Sequence, residues 1–300
     1  MKKTKGTVAA LLVILIAGIG LYFAWSKGAL PQNVAPMTTA PSLPKELWET
    51  QKTTGGQTSR ATTTTASGQS TKETAAETQT SQAGALKYDF DYPNIHPALA
   101  VFNQHEWHLM LVSRRFALPA DYAPETAVCV PGVYKEELKM DARVAPIYYE
   151  MYKAAKKDGA ELIPYSGYRS ITRQKGNFER KIAYYQTQGN SYAQAVNLAA
   201  MVILPPGCSE HEAGLAMDIT RPGVWGAVES FEDSKEFAWL QKNAANYGFI
   251  LRYPKDKTKI TQVSYEPWHW RYVGKEAALL MQKSGECLEE YLESRAKSTG

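Results

Sequence analysis

This sequence contains few cysteines and few histidines, and its net charge is small. Its 300 residues include only three cysteines and five histidines, and the formal net charge is +4. The cysteines, Cys129, Cys208 and Cys287, are too few and too scattered for a disulfide-stapled fold or a CxxC zinc site. One disulfide with one free thiol is an open alternative, as are three unpaired thiols.

The small net charge excludes one class of partner. Part of the positive excess comes from Lys2, Lys3 and Lys5 at the N-terminus. The rest of the chain therefore carries no basic excess of the kind that binds a phosphate backbone. We expect no nucleic acid partner.

One long apolar run is present, at residues 7–25, and it contains no charged residue. At about 1.5 Å per residue it spans about 28 Å, close to the roughly 30 Å hydrocarbon core of a bilayer. It predicts a transmembrane anchor. Lysines in residues 1–6 predict a cytoplasmic tail, so the protein is expected at the cell membrane, single-pass, with its catalytic domain extracytoplasmic. A cleaved signal peptide is the alternative, but its apolar region is usually only about 7–15 residues long.

Residues 26–86 are dominated by Thr, Ser, Gln, Ala, Gly and Pro. This composition cannot bury enough apolar surface to offset the entropy of ordering, and it predicts a disordered linker. The remaining residues, 87–300, are numerous enough for one domain with a substantial core.

Within residues 87–300 the predicted fold class is α+β, with helices packed around a small antiparallel sheet. The last two predicted strands are close enough in sequence to form an antiparallel hairpin. Helical spacing and capping residues predict helices from Val144 to Ala155, from Ser170 or Thr172 to Tyr185, from Ser191 to Met201, from Ser234 to Ala244 and from Lys275 to Leu292. Short apolar segments predict strands at 161–165, 214–220, 249–253 and 261–273.

Two of the five histidines lie in dense polar and aromatic surroundings. His211 precedes a short apolar strand that contains Asp218, a carboxylate that is costly to bury unless it is paired or binds a metal. His269 lies among large aromatic residues, three positions after Glu266. Two imidazoles and one carboxylate with an open fourth position make a catalytic zinc site, and a second carboxylate supplies the base.

Glu266 and His269 would leave opposite faces of a regular strand. Pro267 cannot donate to a strand ladder and is found at edges or bulges. We therefore predict an irregular backbone at Pro267 that lets both side chains reach one metal.

The motifs around these residues resemble those of the VanY-type D-alanyl-D-alanine carboxypeptidases and their L,D-carboxypeptidase relatives. The resemblance covers about Leu111 to Val273. It is carried by Ser166-Gly167-Tyr168-Arg169-Ser170, by Ser209-x-His211-x-x-Gly214-x-Ala216-x-Asp218, and by Glu266-x-Trp268-His269.

The resemblance implies one zinc ion (Zn2+) per chain and, as substrate, a peptidoglycan stem peptide that ends in D-Ala. It implies that His211, Asp218 and His269 bind the metal, that Glu266 is the general base, that Arg169 holds charge on the substrate, and that Gln174 and Ser209 line the same pocket. The other possible functions are an L,D-carboxypeptidase acting on tetrapeptide stems and, in a different class, a non-catalytic peptidoglycan-binding module. We expect a monomer.

Each of the substrate-binding assignments has a structural alternative. Arg169 could form a structural salt bridge, Gln174 could be a solvated residue in the first turn of its helix, and Ser209 could be a local cap. If Arg169 does hold substrate, its donors suit either a carboxylate or a developing oxyanion, and the sequence leaves both open.

Overall fold

The computed structural model describes residues 86–131, 137–224 and 226–299. The predicted tail and anchor, and all but the last residue of the predicted linker, lie outside these residues. In the described part of the chain, no helix is both long enough and apolar enough to cross a bilayer.

The described residues form eight short strands and seven α-helices. In chain order the strands are β1 (Ala98–Leu99), β2 (Phe116–Ala117), β3 (Thr126–Val128), β4 (Lys139–Asp141), β5 (Ile163–Ser166), β6 (Ala216–Thr220), β7 (Phe249–Leu251) and β8 (His269–Tyr272). The helices are α1 (Ala145–Lys157), α2 (Ile171–Thr187), α3 (Tyr192–Ala199), α4 (Lys235–Asn243), α5 (Thr258–Thr261), α6 (Lys275–Ser284) and α7 (Leu288–Thr299). Single 3-10 turns lie at Trp107–Leu109, Glu229–Asp233, Ala244–Tyr247 and Lys255–Lys257.

Strands β5 to β8 form the main sheet, in the order β5-β6-β8-β7, and all three pairings are antiparallel. The predicted pairing of the last two strands is therefore confirmed. Strands β1 and β2 form a parallel pair, and β3 and β4 form an antiparallel pair. The mixed α/β class with a small antiparallel sheet and several helices is confirmed.

Local signals mark several helix ends close to where the sequence predicts them. The side chains of Ser170, Ser191 and Ser234 each accept a hydrogen bond from a backbone N–H in the first turn of α2, α3 and α4. Gly159 (φ +83) follows α1, and Gly248 (φ +81) ends the 3-10 turn after α4, both in the left-handed conformation that favours glycine.

Two predicted elements are wrong in their extent. The predicted strand 261–273 is reduced to β8, because the chain up to Thr261 is helical and Gln262 leaves that helix with φ +61. The predicted helix from Lys275 to Leu292 is two helices, because Gly285 adopts a left-handed conformation (φ +74) that ends α6.

The core is centred on β6, whose five residues are all buried. Leu215, Met217 and Ile219 belong to the main hydrophobic cluster, together with Tyr148 of α1 and Trp270 of β8. The alternation of side chains along a strand turns Asp218 to the other face. The three cysteines are buried and unpaired, so the disulfide alternative does not hold.

Candidate metal centre

Sheet register places two of the predicted ligands side by side. Asp218 of β6 pairs with His269, the first residue of β8, and on its other side with Ser166 of β5. Both residues are buried, at 4% exposure each.

The third predicted ligand, His211, comes from the loop before β6. Gly214 ends this loop with φ +71, and its N–H donates to the His211 carbonyl oxygen over 3.2 Å. A Cβ on Gly214 would lie 2.8 Å from the Asp141 backbone nitrogen, which donates to the Gly214 carbonyl. Only glycine fits both the conformation and this close approach of two backbones.

The donor atoms of these three residues lie within 4.8 Å of one another. Asp218 Oδ1 is 3.3 Å from His211 Nε2 and 3.1 Å from His269 Nδ1. The two imidazole rings meet edge to face with their centroids 4.9 Å apart. The structure therefore brings together the two imidazoles and the carboxylate that the sequence predicted.

The hydrogen bonds on the outer side of each ring show that the donors fit a metal ion. His211 Nδ1 lies 2.9 Å from the Gly167 carbonyl oxygen, which can only accept, so Nδ1 carries the proton. His269 Nε2 lies 3.1 Å from Glu210 Oε2, so that nitrogen is likewise the donor. A metal ion beside Asp218 would then bind His211 through Nε2 and His269 through Nδ1, where it would take the place of the Nδ1 proton. Two imidazoles plus one carboxylate are a ligand set that suits zinc.

The surroundings give the two imidazoles opposite affinities for a proton. Burial, and then the charge of Arg169, lower the pKa of His211 to about 4, so it is neutral at pH 7. Burial alone would lower the pKa of His269, but hydrogen bonds to Asp218 and Glu210 raise it to about 9. The carboxylates around His269 thus stabilise a positive charge on its ring, and they would likewise stabilise a metal cation bound beside Asp218.

Glu266 reaches the same centre through an irregular backbone. Pro267 and Trp268 form a turn, closed by a 3.1 Å hydrogen bond from His269 N–H to the Glu266 carbonyl oxygen, before β8 begins. The predicted irregularity at Pro267 is thus confirmed. Glu266 Oε2 lies 3.7 Å from His269 Nδ1, and burial raises the pKa of this carboxyl to about 8.

Arg169 lies against Asp218 with its guanidinium held on three sides. Nη2 donates to Asp218 Oδ2 over 2.9 Å, Nε to Ser166 Oγ over 2.9 Å, and Nη1 to Gln174 Oε1 over 3.1 Å. These bonds use three of the five guanidinium N–H donors, and for the other two no acceptor is found among the described residues.

Gln174 and Ser209 also line the site, and each has a protein partner. Gln174 is 1% exposed, so it is not a solvated residue, and its Nε2 donates to the Leu204 carbonyl oxygen over 2.6 Å. Ser209 Oγ accepts from the His211 backbone N–H over 3.4 Å. Both assignments as substrate-binding residues stay predictions.

One cavity of about 710 Å³ is lined by all the predicted site residues: the three predicted ligands together with Glu266, Arg169, Gln174 and Ser209. Trp268 and Tyr165 lie on its wall, and the Tyr253 ring packs against the His269 ring with centroids 4.9 Å apart. Apolar side chains, among them Val202, complete the lining. The cavity is large enough for a short peptide.

The sequence reasoning missed a set of buried charges behind His269. Burial alone would raise the pKa of the Glu210 carboxyl, but the charges of Arg271 and Arg252 hold this pKa well below its ordinary value. Arg252 also pairs with Glu289 of α7. The signal that could have found them is charge within or beside apolar strands, which is costly to bury without a partner.

Comparison with known protein families identifies a match that covers the candidate metal centre. Residues 137–275 match the family model VanY, described as D-alanyl-D-alanine carboxypeptidase. The chain is 40% identical over 190 residues to a D-alanyl-D-alanine carboxypeptidase of Enterococcus faecalis (strain ATCC 700802 / V583). That alignment covers 63% of this chain and 67% of the relative.

Three solved structures are similar to this chain in fold. A zinc complex of the D,D-pentapeptidase VanY from a VanB-type vancomycin resistance cassette is 41% identical, with a TM-score of 0.55, and covers 62% of this chain and 99% of its own. VanYB in complex with D-alanine-D-alanine is 40% identical, with a TM-score of 0.56 and coverage of 63% and 98%. The LD-carboxypeptidase LdcB is 37% identical, with a TM-score of 0.57 and coverage of 67% and 94%.

Proposed function

The chain belongs to the VanY family of D-alanyl-D-alanine carboxypeptidases, and we propose that it is a zinc-dependent peptidase that removes the C-terminal D-alanine from peptidoglycan stem peptides. The observation that carries the proposal is the convergence of His211, Asp218 and His269 within 4.8 Å, in a cavity that also holds Glu266. The zinc and D-alanine-D-alanine complexes of the VanY structures support the same metal and the same kind of substrate.

We assign the metal to His211, Asp218 and His269. A zinc ion held there supplies Lewis-acid activation of the attacking water and of the scissile carbonyl. Gly167 and Glu210 fix which ring nitrogen of each histidine is free to bind.

Glu266 is assigned as the general base. It takes a proton from the attacking water, whose oxygen bonds to the carbonyl carbon of the penultimate residue. The same carboxyl then gives the proton to the amine of the departing D-alanine as the peptide C–N bond breaks. Burial favours a high proton affinity in this carboxyl, and positive charge at the three ligands favours its ionised form before the reaction.

Arg169 is assigned to bind negative charge on the substrate. The two N–H groups of Arg169 that have no acceptor among the described residues can donate to the terminal carboxylate of D-alanine or to the developing oxyanion. Gln174 holds Arg169 through a 3.1 Å hydrogen bond, and Ser209 borders the same cavity. A terminal carboxylate held here would make the enzyme an exopeptidase.

The proposal is tested with the purified full chain in detergent, loaded with zinc and given synthetic stem peptides. A pentapeptide ending in D-Ala-D-Ala should lose one D-alanine, as seen by mass spectrometry of the products. A tetrapeptide, which ends in a D-Ala preceded by an L-residue, is the second arm. Cleavage of the tetrapeptide alone would show L,D-specificity, and binding without cleavage of either peptide would show a binding module. Neither alternative is favoured by the family match or by the E. faecalis relative.

We also propose that the enzyme works at the outer face of the cell membrane. The support is the uncharged run at 7–25, the lysines in residues 1–6 and the polar composition of 26–86, which would act as a flexible tether to a single catalytic domain at 87–300. The full chain should sediment with membranes, and protease added to intact protoplasts should digest the domain. Recovery of an uncut, soluble chain from the cytoplasm would refute this arrangement.

A further inference from the structure

Glu210 lies directly before the proposed ligand His211, but its side chain contacts the other histidine. Its Oε2 is 3.1 Å from His269 Nε2. Its Oε1 accepts from Arg252 Nε over 2.7 Å and from Arg271 Nη1 over 2.6 Å. One carboxylate oxygen is therefore held by two guanidinium groups, and the other faces the ring of the ligand.

The contacts continue to the C-terminal helix. Arg252 Nη1 and Nη2 donate to the two carboxylate oxygens of Glu289 on α7, over 2.8 and 2.7 Å. Arg271 Nη2 donates to the backbone carbonyl oxygens of His108 and Met110. The side chains of Glu210, Arg252, Arg271 and Glu289 are at most 1% exposed.

These four charges balance, two negative and two positive, and they lie out of contact with solvent. A buried ion pair is seldom more stabilising than apolar residues of the same volume, so stability alone is a weak reason for four charges here. Loss of one of them, in contrast, leaves its partner charged and uncompensated. Without Glu289, the carboxylate left to Arg252 among the described residues would be that of Glu210. Arg252 would then compete with His269 for the Glu210 carboxylate.

We propose that Glu210 and Glu289 are positioning residues for His269: Glu210 fixes the ring orientation that turns Nδ1 to the metal, and Glu289 holds Arg252 so that Glu210 stays on the ring. This inference rests on the proposed role of His269 as a zinc ligand. It gives the C-terminal helix α7 a part in metal binding although no residue of α7 lines the cavity.

The test compares Glu210→Gln and Glu289→Gln in the full chain with two controls on α7. Glu290→Gln removes a neighbouring ion pair, with Lys257 at 2.9 Å, that has no contact with the network. Leu288→Ala removes a fully buried side chain from the same helix, so it lowers the stability without touching a charge. Zinc affinity is measured by competition with a chromogenic chelator, well below each variant's unfolding temperature. The visible absorption spectrum of the Co(II)-loaded protein reports the ligand geometry.

We expect Glu210→Gln to weaken zinc binding by about 10- to 100-fold, the usual effect of losing an outer hydrogen bond to a metal-bound histidine. Glu289→Gln, one contact further away, should weaken it at least about threefold and alter the Co(II) spectrum in the same direction. The double variant should lose less than the product of the two, because both act through one contact. Leu288→Ala and Glu290→Gln should stay within about twofold of the parent chain.

If zinc affinity falls equally in Leu288→Ala and Glu289→Gln, in step with their unfolding temperatures, the network is structural and the inference is wrong. Unchanged affinity in Glu210→Gln would also overturn it. If the parent chain binds no zinc at all, the proposed function fails together with the inference. If it binds zinc but cleaves no D-alanyl peptide, the proposed function fails alone, since affinity and spectrum are measured without substrate.

Discussion

Replacement of Glu266 by glutamine distinguishes an enzyme from a binding module. Glutamine has the same size as glutamate, so the backbone turn at Pro267 should be unchanged. Its amide, however, cannot act as a base. Glu266 as a whole residue is 6% exposed, and burial raises the pKa of its carboxyl to about 8. A neutral amide in this position removes a desolvation cost, so Glu266→Gln should fold with an unfolding temperature no lower than that of the parent chain.

The size of the kinetic effect follows from the lining of the cavity. Among the described residues that line it, Asp218 and Glu266 are the carboxylates, and Asp218 is engaged by both histidines and by Arg169. No second base is therefore in place to take over. We expect kcat to fall by about 10²- to 10⁴-fold, which corresponds to about 3–5 kcal/mol of lost transition-state stabilisation.

The assay measures kcat, KM and zinc content together on a D-Ala-D-Ala pentapeptide. Zinc should stay at one per chain, since the three proposed ligands are unchanged, and KM should change little if binding and proton transfer are separate. Glu276→Gln makes the same chemical change at an exposed position of α6 and should leave all three values unaltered. Loss of zinc from Glu266→Gln would show that Glu266 is a ligand. Retention of both zinc and full turnover would show that another group transfers the proton.

Three further outcomes are expected. His269→Ala should lose zinc and activity together, because it removes a ligand, and a variant that keeps full zinc content would refute that role. Removal of zinc with a chelator should abolish turnover and lower the unfolding temperature, and added zinc should restore both, as measured by calorimetry and peptide cleavage; an unchanged unfolding temperature would mean that the folded site does not bind the metal. Gly214→Ala should destabilise the fold by at least about 1–3 kcal/mol, because φ is +71 and the new Cβ would lie 2.8 Å from the Asp141 nitrogen; urea unfolding measures this, and a midpoint equal to that of the parent chain would contradict it.

Elements with local signals were predictable from the sequence. A serine that caps a helix, such as Ser191, and a glycine that ends one, such as Gly159, act on residues within one turn. The same reasoning missed the break at Gly285, because the apolar spacing continues across it from α6 into α7. Helix periodicity shows which face is buried, but it does not show where one helix ends and the next begins.

The irregular segment before β8 shows where the strand signal failed. Residues 261–273 have the aromatic and β-branched composition of a strand, yet only His269–Tyr272 pair with β6 and β7. The preceding residues turn at Pro267 so that Glu266 can reach the cavity. The local preference for strand is overridden here because Pro267 has no N–H to donate to a strand ladder and the chain turns at this residue. The turn brings Glu266 close to His269.

The metal centre was also predictable only in part. His211, Asp218, His269 and Glu266 could be identified from the sequence as site residues, because they lie in short motifs with characteristic residue types and spacing. Their outer partners could not be read, since Glu210 meets Arg252 and Arg271 across 42 and 61 residues, and Arg252 meets Glu289 across 37. Such contacts depend on the register of β6, β7 and β8 and on how α7 packs. Register is set by the summed burial of many side chains from distant parts of the chain, and no single local pattern encodes that sum.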